Sequence, residues 1–142
     1  MTRVRHLLDR KGRALYAVAP DDPVLTAVRA MAEHHVGALL VMQQETLLGI
    51  VSERDYARKV ILLGRSSNDT AVRQIMSSPV VTVGLDTTVE DCMRLMTERR
   101  IRHLPVLEGR RVVGVISIGD LVKAVIEDQQ QTIAQLESYI HS

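Results

Sequence analysis

Two stretches of the chain combine residue types that could bind a phosphorylated sugar. The first is Gly49-Ile50-Val51-Ser52-Glu53-Arg54-Asp55, and the second is Gly114-Val115-Ile116-Ser117-Ile118-Gly119-Asp120. In each, a hydrophobic run ends at a serine, and because serine is a strong helix N-cap the pattern predicts a strand that turns directly into a helix. We expect unpaired first-turn amides at the positive end of the helix dipole, beside a hydroxyl and a carboxylate. Such a place suits a phosphate with a sugar attached, so the sequence predicts two related sites, or one site and its relic.

The side chains of the first stretch each have a binding role and a simpler alternative. Asp55 and its counterpart Asp120 could accept from both vicinal hydroxyls of a ribose, or could be first-turn acids that the helix dipole favours. Ser52 and Ser117 could donate to a phosphate or sugar oxygen, or act only as N-caps. Arg54 could bind phosphate bidentately, or it could lie in solvent. A first-turn arginine is unfavourable for the helix dipole, which favours the phosphate role.

The two stretches differ in what precedes them. Arg102 and His103 stand where the first half has Gly37 and Ala38. Either the two sites bind differently or only one is occupied, and the alternative is a solvent-facing pair at the start of a strand.

The composition limits the classes of protein to consider. The chain has 142 residues, is 46% hydrophobic and 25% charged, and carries a net charge of +1 with both signs interleaved. These values are typical of a folded protein with no basic surface for nucleic acid. No apolar run is long enough to cross a membrane and no signal peptide is evident, so we expect a cytoplasmic protein. The lone Cys92 is expected in the core, and the adjacent His34 and His35 make an unconvincing metal pair.

An internal duplication organises these elements. At an offset of 65 (114 − 49), residues 18–61 align without a gap with residues 83–126. Each half predicts a short helix (3–9, 70–76), then strand, helix, strand, strand and helix. The predicted strands are 15–18, 38–42 and 47–51, then 80–83, 103–107 and 112–116, and the middle helices begin at Asp22-Pro23 and at a capping box in residues 87–90. Two such halves could stack about a pseudo-twofold axis as one globule.

The C-terminal end departs from the repeat. The helical pattern runs on from Leu121 to Ile140, and this tail could cover the globule, pair with another subunit or fray at the surface.

A tandem repeat with Gly-h-h-Ser-x-x-Asp (h, hydrophobic) at each strand–helix junction resembles the CBS-domain pair, or Bateman module, of the small stand-alone bacterial type. The resemblance covers residues 8–128, with domains at 8–66 and 70–128 and a helical tail at 129–142. It implies an α/β (α+β) fold and a regulatory, non-catalytic module, and we find no Walker loop, nucleophile elbow or metal-ligand cluster. It also implies an adenosine-containing ligand (AMP, ADP, ATP or NAD) between the repeats, a homodimer and an unidentified protein target. A ligand-free interaction scaffold is the alternative.

The resemblance adds candidates at the strand entrances. Val18, Thr82 and Val83 end the entering strands, where backbone groups could read the adenine edge while aliphatic side chains hold its face. Related modules line the base or phosphate from the position of Arg102 and His103. Pro105 lacks an amide and so predicts an edge or irregular strand, as a ligand cleft needs.

Overall fold

The computed structural model describes residues 2–141 and divides into two compact units. The first unit is formed by residues 14–81, and the second by the residues up to Arg13 together with those from Thr82 onward. The elements in chain order are α1 (Val4–Lys11), β1 (Ala17–Val18), α2 (Val24–His34), β2 (Ala38–Gln43), β3 (Thr46–Ser52), α3 (Glu53–Tyr56), a π-helical turn (Ala57–Ile61), a 3-10 turn (Val72–Gln74), β4 (Val83–Gly84), α4 (Val89–Arg99), β5 (His103–Glu108), β6 (Arg111–Ser117) and α5 (Ile118–His141).

Each unit has the predicted order of strand, helix, strand, strand and helix. The sheets run β1-β2-β3 and β4-β5-β6, with a parallel first pairing and an antiparallel second pairing. The duplication extends to the backbone, because His35 and Arg100, 65 positions apart, both end a helix in the left-handed conformation. Gln44 and Gly109 are the corresponding pair at the hairpins, again with positive φ. The α/β prediction and its repeat are confirmed.

The core of each unit lies between its middle helix and its sheet. Val24, Ala27 and Met31 of α2 are buried, as are Val89, Cys92 and Met96 of α4. These residues recur every three or four positions, so they share one helical face. In the first unit, Leu39 and Val41 of the central strand supply the other side of this core. Leu40 between them points to the opposite face of the sheet, where it is also buried.

Several predicted boundaries shift for local reasons. Pro23, and not Asp22, is the N-cap of α2, while the Asp22 carboxylate accepts from the Ala19 amide at 2.9 Å. The N-cap of α4 is Thr88, one residue after the start of the capping box predicted for residues 87–90, and its hydroxyl accepts from the Asp91 amide. The helix predicted over 70–76 is only a 3-10 turn of 3 residues.

The two units exchange the segments that precede their repeats. Although α1 begins the chain, its amides at Val4 and Arg5 donate to the carbonyls of Thr87 and Leu85 in the second unit. In the same way residues 72–77, which lead into the second repeat, pack in the first unit, where Val72 donates to Asp22 O at 2.9 Å.

The strand glycines make room for these exchanged segments. A Cβ at Gly114 would lie 2.6 Å from Leu8 Cδ2, and one at Gly49 would lie 2.7 Å from Met76 Sδ and 2.9 Å from Ser77 O. Leu8 and Met76 are equivalent in the echo between residues 4–8 and 72–76. The glycine that opens each Gly-h-h-Ser motif is therefore a packing requirement.

Candidate functional site

The junction between β3 and α3 places Ser52 and Asp55 in direct contact. Asp55 N donates to Ser52 Oγ at 3.1 Å, and Asp55 Oδ2 accepts from the amide and the hydroxyl of Ser52, both at 3.0 Å. This reciprocal arrangement is a capping box with aspartate at the third helical position. It holds the carboxylate against the start of the helix, with the Asp55 side chain only 14% exposed.

The junction between β6 and α5 repeats this geometry. Ser117 N donates to Asp120 Oδ2 at 2.8 Å, and Asp120 N donates to Ser117 Oγ at 3.2 Å. The duplicated motif therefore produces the same local structure twice, as its spacing predicts.

The first-turn amides are more fully engaged than the sequence predicts. Glu53 N donates to Gly37 O at 3.0 Å, and its counterpart Ile118 N donates to Arg102 O at 2.8 Å. The third amide of each helix goes to the serine hydroxyl. The expectation of open amides at both helix starts is thus wrong for these positions, because the capping serine and the preceding strand entrance already satisfy them.

A lysine contacts each motif carboxylate. Lys59 Nζ lies 3.1 Å from Asp55 Oδ1 and donates to Ile75 O at 2.9 Å. Lys11 Nζ lies 2.6 Å from Asp120 Oδ2 and donates to Val115 O at 2.8 Å. The sequence interpretation treats Lys59 as an ordinary surface charge that could add to the phosphate field, and it assigns no role to Lys11. The i,i+4 spacing from Asp55 could have identified Lys59, whereas Lys11 is far from Asp120 along the chain and has no local signal.

The charged surroundings of the second junction shift two pKa values. Burial opposes ionisation of Asp120, but the hydrogen bond from Lys11 and the Ser117 amide outweigh it, and the pKa of Asp120 is lowered. The pKa of His103 is also lowered, first by burial and then by the charge of Lys11, while Asp120 acts in the opposite sense. His103 therefore favours the neutral imidazole more strongly than an ordinary histidine does.

The strand-entrance residues are placed only partly as the sequence predicts, because Val18 ends β1, whereas the strand predicted over 80–83 is Val83–Gly84, so Val83 begins it and Thr82 lies outside it. Val18 and Val83 are buried at the short parallel strands β1 and β4, and Thr82 is half-buried just before β4. Pro105, however, lies in β5, the central strand of its sheet, so its prediction as an edge residue is wrong. The β5–β6 register shifts between Val106 and Leu107, but this irregularity is not specific to the proline, because the β2–β3 register shifts at the same place, between Val41 and Met42.

The missing proline amide has a visible consequence. Leu40, the counterpart of Pro105, donates to Tyr16 O at 3.1 Å, a bond that proline cannot make. Whereas β1 covers residues 17–18, β4 covers residues 83–84, which is one position later in the repeat. Both parallel ladders have two residue pairs, but the ladder of the second repeat begins only at Val83, so Thr82 lies outside it.

The remaining candidate residues lie nearer the solvent. Arg54 and Arg102 are exposed, and His103 is half-buried opposite Ser117. His34 stacks on Tyr16, with ring centroids 3.9 Å apart, and does not join His35 in a cluster. Within residues 2–141 no group of three or more His, Cys, Asp or Glu side chains could hold a metal ion. No helix in that range is long and apolar enough to cross a membrane.

Comparison with known proteins places this geometry in context. The CBS domain model matches residues 4–61 and 72–127. The mitochondrial CBS domain-containing protein CBSX3 of Arabidopsis thaliana is 45% identical over 84% of this chain, which spans 61% of that protein. A putative signal-transduction protein with CBS domains from Burkholderia ambifaria is 50% identical, with a TM-score of 0.87 over 90% of this chain and 96% of its own.

Of two more distant structures, one was solved with bound ligands and the other is a hexamer. The CBS domain pair of protein MJ0100, solved with 5′-methylthioadenosine and S-adenosyl-L-methionine, is 22% identical over 90% of this chain and 98% of its own. With a TM-score of 0.80, that likeness is one of fold. The hexameric CBS-CP12 protein from bloom-forming cyanobacteria is 29% identical, with a TM-score of 0.77 over 86% of this chain and 70% of its own. From the matched repeats and the shared fold, the chain belongs to the CBS domain family, as a pair of tandem CBS domains.

Proposed function

We propose that this protein is a non-catalytic regulatory module that binds an adenosine-containing ligand at its Ser–Asp junctions and signals the bound state to a partner. The observation that carries the proposal is the twin junction, in which Ser52 with Asp55 and Ser117 with Asp120 hold a carboxylate in the same place twice. Support comes from the MJ0100 domain pair, which was solved with two adenosyl compounds. The description of the Burkholderia relative as a putative signal-transduction protein supports the regulatory part.

The carboxylates are suited to a ribose because each keeps unused acceptor capacity. A carboxylate offers about four lone-pair sites, and at Asp120 the described hydrogen bonds from Ser117 and Lys11 both use Oδ2. The other oxygen, Oδ1, could accept from one sugar hydroxyl. A second hydroxyl could bind in place of the lysine, whose ammonium group would then be released toward the ligand phosphate.

The other candidate residues divide between base and phosphate. Val18, Thr82 and Val83 would contact the adenine, since aliphatic side chains suit the faces of a flat heterocycle and backbone groups at a strand end suit its polar edge. Arg54 and Arg102 would contact the phosphates, because both are exposed cations beside a helix start. His103 and Pro105 would shape the second site only, which explains why the two sites need not prefer the same ligand.

Binding would act by biasing the arrangement of the two repeats, and the size of the effect is limited by the ligand's differential affinity for the arrangements. A protein target would sense the change. The module would work in the cytoplasm as a homodimer, a state for which the hexameric CBS-CP12 relative gives only general support.

The experiment is isothermal calorimetry with AMP, ADP, ATP, NAD and S-adenosyl-L-methionine on wild type and on the Asp55→Asn and Asp120→Asn variants. Asparagine keeps the shape of the side chain but weakens its acceptance from ribose hydroxyls. We expect at least one compound to bind, and the affinity to fall at least about 10-fold when the carboxylate that contacts it is changed, since a hydrogen bond to a charged group contributes about 1.5–3 kcal/mol. Equal affinities in all three proteins would refute the proposed contacts of Asp55 and Asp120 with the ribose.

A matched control separates binding from helix capping. Asp91→Asn changes an exposed first-turn acid of α4 that bonds to Arg94, away from either Ser–Asp junction. Its affinity for every compound should equal that of wild type. A loss there comparable to that of Asp120→Asn would assign the effect to general helix stability.

The engaged amides favour a second candidate, an interaction scaffold whose junctions bind no ligand. In that case Asp55 and Asp120 serve only as cap residues paired with Lys59 and Lys11. Thermal-shift curves that do not move with any adenosine compound, together with flat calorimetry, would select the scaffold over the ligand-binding module.

A further inference from the structure

The exposed face of α5 carries a regular apolar seam. Its residues follow one another at spacings of 4, 3, 4, 3 and 4: Val122, Ile126, Gln129, Ile133, Leu136 and Ile140. Alternating spacings of four and three are those of the a and d positions of a coiled coil. The five apolar members are between 44% and 74% exposed, and every residue from Gln129 to His141 is exposed. A helix gains most of its stability from burial of such a face, so this seam needs a partner.

We propose that the seam pairs in antiparallel orientation with the same seam of a second copy of this chain. The pattern is its own mirror image about Gln131, so that Val122 would face Ile140, Ile126 would face Leu136, and Gln129 would face Ile133 of the other copy. All six positions then find a seam residue opposite. A surface that matches itself in this way gives a closed, twofold-symmetric dimer.

Charges beside the seam favour this orientation over a parallel one. Lys123 and Glu137 lie on the same flank of the seam, eight and six residues respectively from its midpoint at Gln131, and are therefore nearly symmetric about it. An antiparallel pairing brings Lys123 of each copy opposite Glu137 of the other, which gives two opposite-charge contacts. A parallel pairing would bring Val125 opposite Gln130 and Thr132 opposite Glu137, with no opposite charges. The flanking charges of a coiled coil set the orientation of its helices.

The area that the seam can bury is sufficient for a specific interface. With about 100 Å² from each of the ten apolar seam side chains, the pairing buries about 1,000 Å², and the flanking side chains raise it to the roughly 1,200 Å² at which specific interfaces begin. This inference deepens one part of the proposed function, the homodimer, by naming its surface, and it does not depend on any ligand.

The first experiment is a charge exchange measured by sedimentation velocity on the full chain. We expect Lys123→Glu and Glu137→Lys each to weaken the dimer at least 10-fold, because each places like charges opposite one another. The double variant should restore the wild-type dissociation constant. Ser138→Lys is the control, since it introduces the same lysine side chain on the face of α5 opposite the seam. Leu136→Asp should give a monomer with an unchanged circular dichroism melting curve for the folded units, because Leu136 is exposed in the single chain.

The second experiment tests orientation by disulfide formation. When Ile126→Cys and Leu136→Cys proteins are mixed and oxidised, an antiparallel pairing gives the mixed 126–136 product, and a parallel pairing gives each variant linked to itself. The native Cys92 is buried, and wild type is the control for it. Self-linked products alone would overturn the antiparallel orientation. If neither the two charge changes nor Leu136→Asp alters the dissociation constant of the dimer, the seam is not its interface, although the homodimer itself stands. If the wild-type chain is a monomer at every concentration, both the seam pairing and the homodimer are refuted.

Discussion

Replacement of Gly114 by alanine tests whether α1 belongs to the second unit. The added Cβ would lie 2.6 Å and 2.8 Å from the two terminal methyl carbons of Leu8, well inside ordinary van der Waals contact. Leu8 is 1% exposed and surrounded by core, so its side chain can withdraw only by displacing its neighbours. Overpacking of this kind costs about 1–3 kcal/mol, so the free energy of unfolding of Gly114→Ala should fall by that amount.

The clash has a specific partner, and removal of that partner should remove the cost. Leu8→Ala alone loses about 2–5 kcal/mol through the cavity it leaves. In the Leu8→Ala background, however, Gly114→Ala should cost almost nothing, because the methyl groups it would meet are gone. The double variant should therefore be more stable than the sum of the two single changes predicts, by about 1–3 kcal/mol.

The assay is urea denaturation of the four proteins, followed by circular dichroism. Gly84→Ala is the control, since the nearest atom to its added Cβ is 4.0 Å away and the change should be neutral within about 0.5 kcal/mol. Strict additivity of Gly114→Ala and Leu8→Ala, or a Gly114→Ala protein as stable as wild type, would show that α1 does not pack on β6. Gly49→Ala should behave differently, because its added Cβ also meets the backbone oxygen of Ser77 at 2.9 Å, which a side-chain change cannot move.

Two further predictions concern titratable groups. Because the pKa of Asp120 is lowered in the folded protein, its pairing with Lys11 stabilises the fold above the ordinary aspartate pKa of about 3.9 and the stabilisation is lost as the pH falls through the lowered pKa. In urea denaturation, the free energy of unfolding of Lys11→Met should thus be at most about 1 kcal/mol below that of wild type at neutral pH, because the Lys11–Asp120 pair is partly exposed. This difference should vanish in strong acid. A difference that grows as the pH falls would contradict the pairing of Lys11 with Asp120. Burial raises the pKa of the Cys92 thiol to about 11, so about one thiol in a thousand is ionised at pH 8 and a thiol reagent should label the native protein only as fast as it opens. Complete labelling within the mixing time, at the rate seen in urea, would be the contrary result.

The repeat and its local elements are encoded in short stretches of sequence. The alternation of apolar residues predicts the four long strands to within one residue at each end, and Ser52 and Ser117 mark the strand–helix junctions. These features depend on neighbours within about four residues, whose interactions are local and persist whatever the rest of the chain does. The capping geometry at Asp55 could be predicted for the same reason. Its use as a ribose contact stays a prediction.

The features that the sequence could not determine all depend on contacts between distant segments. Nothing local indicates that α1 packs beside β6, that Lys11 contacts Asp120, or that Pro105 lies in a central strand. The sequence predicts open amides at Glu53 and Ile118, because their acceptors, the carbonyls of Gly37 and Arg102 just before β2 and β5, are more than ten residues away along the chain. Periodicity and capping determine which elements form, since both act over a few residues of backbone. Only the packed tertiary structure decides which side chain from elsewhere in the chain meets each carboxylate, because that depends on where burial brings the segments together.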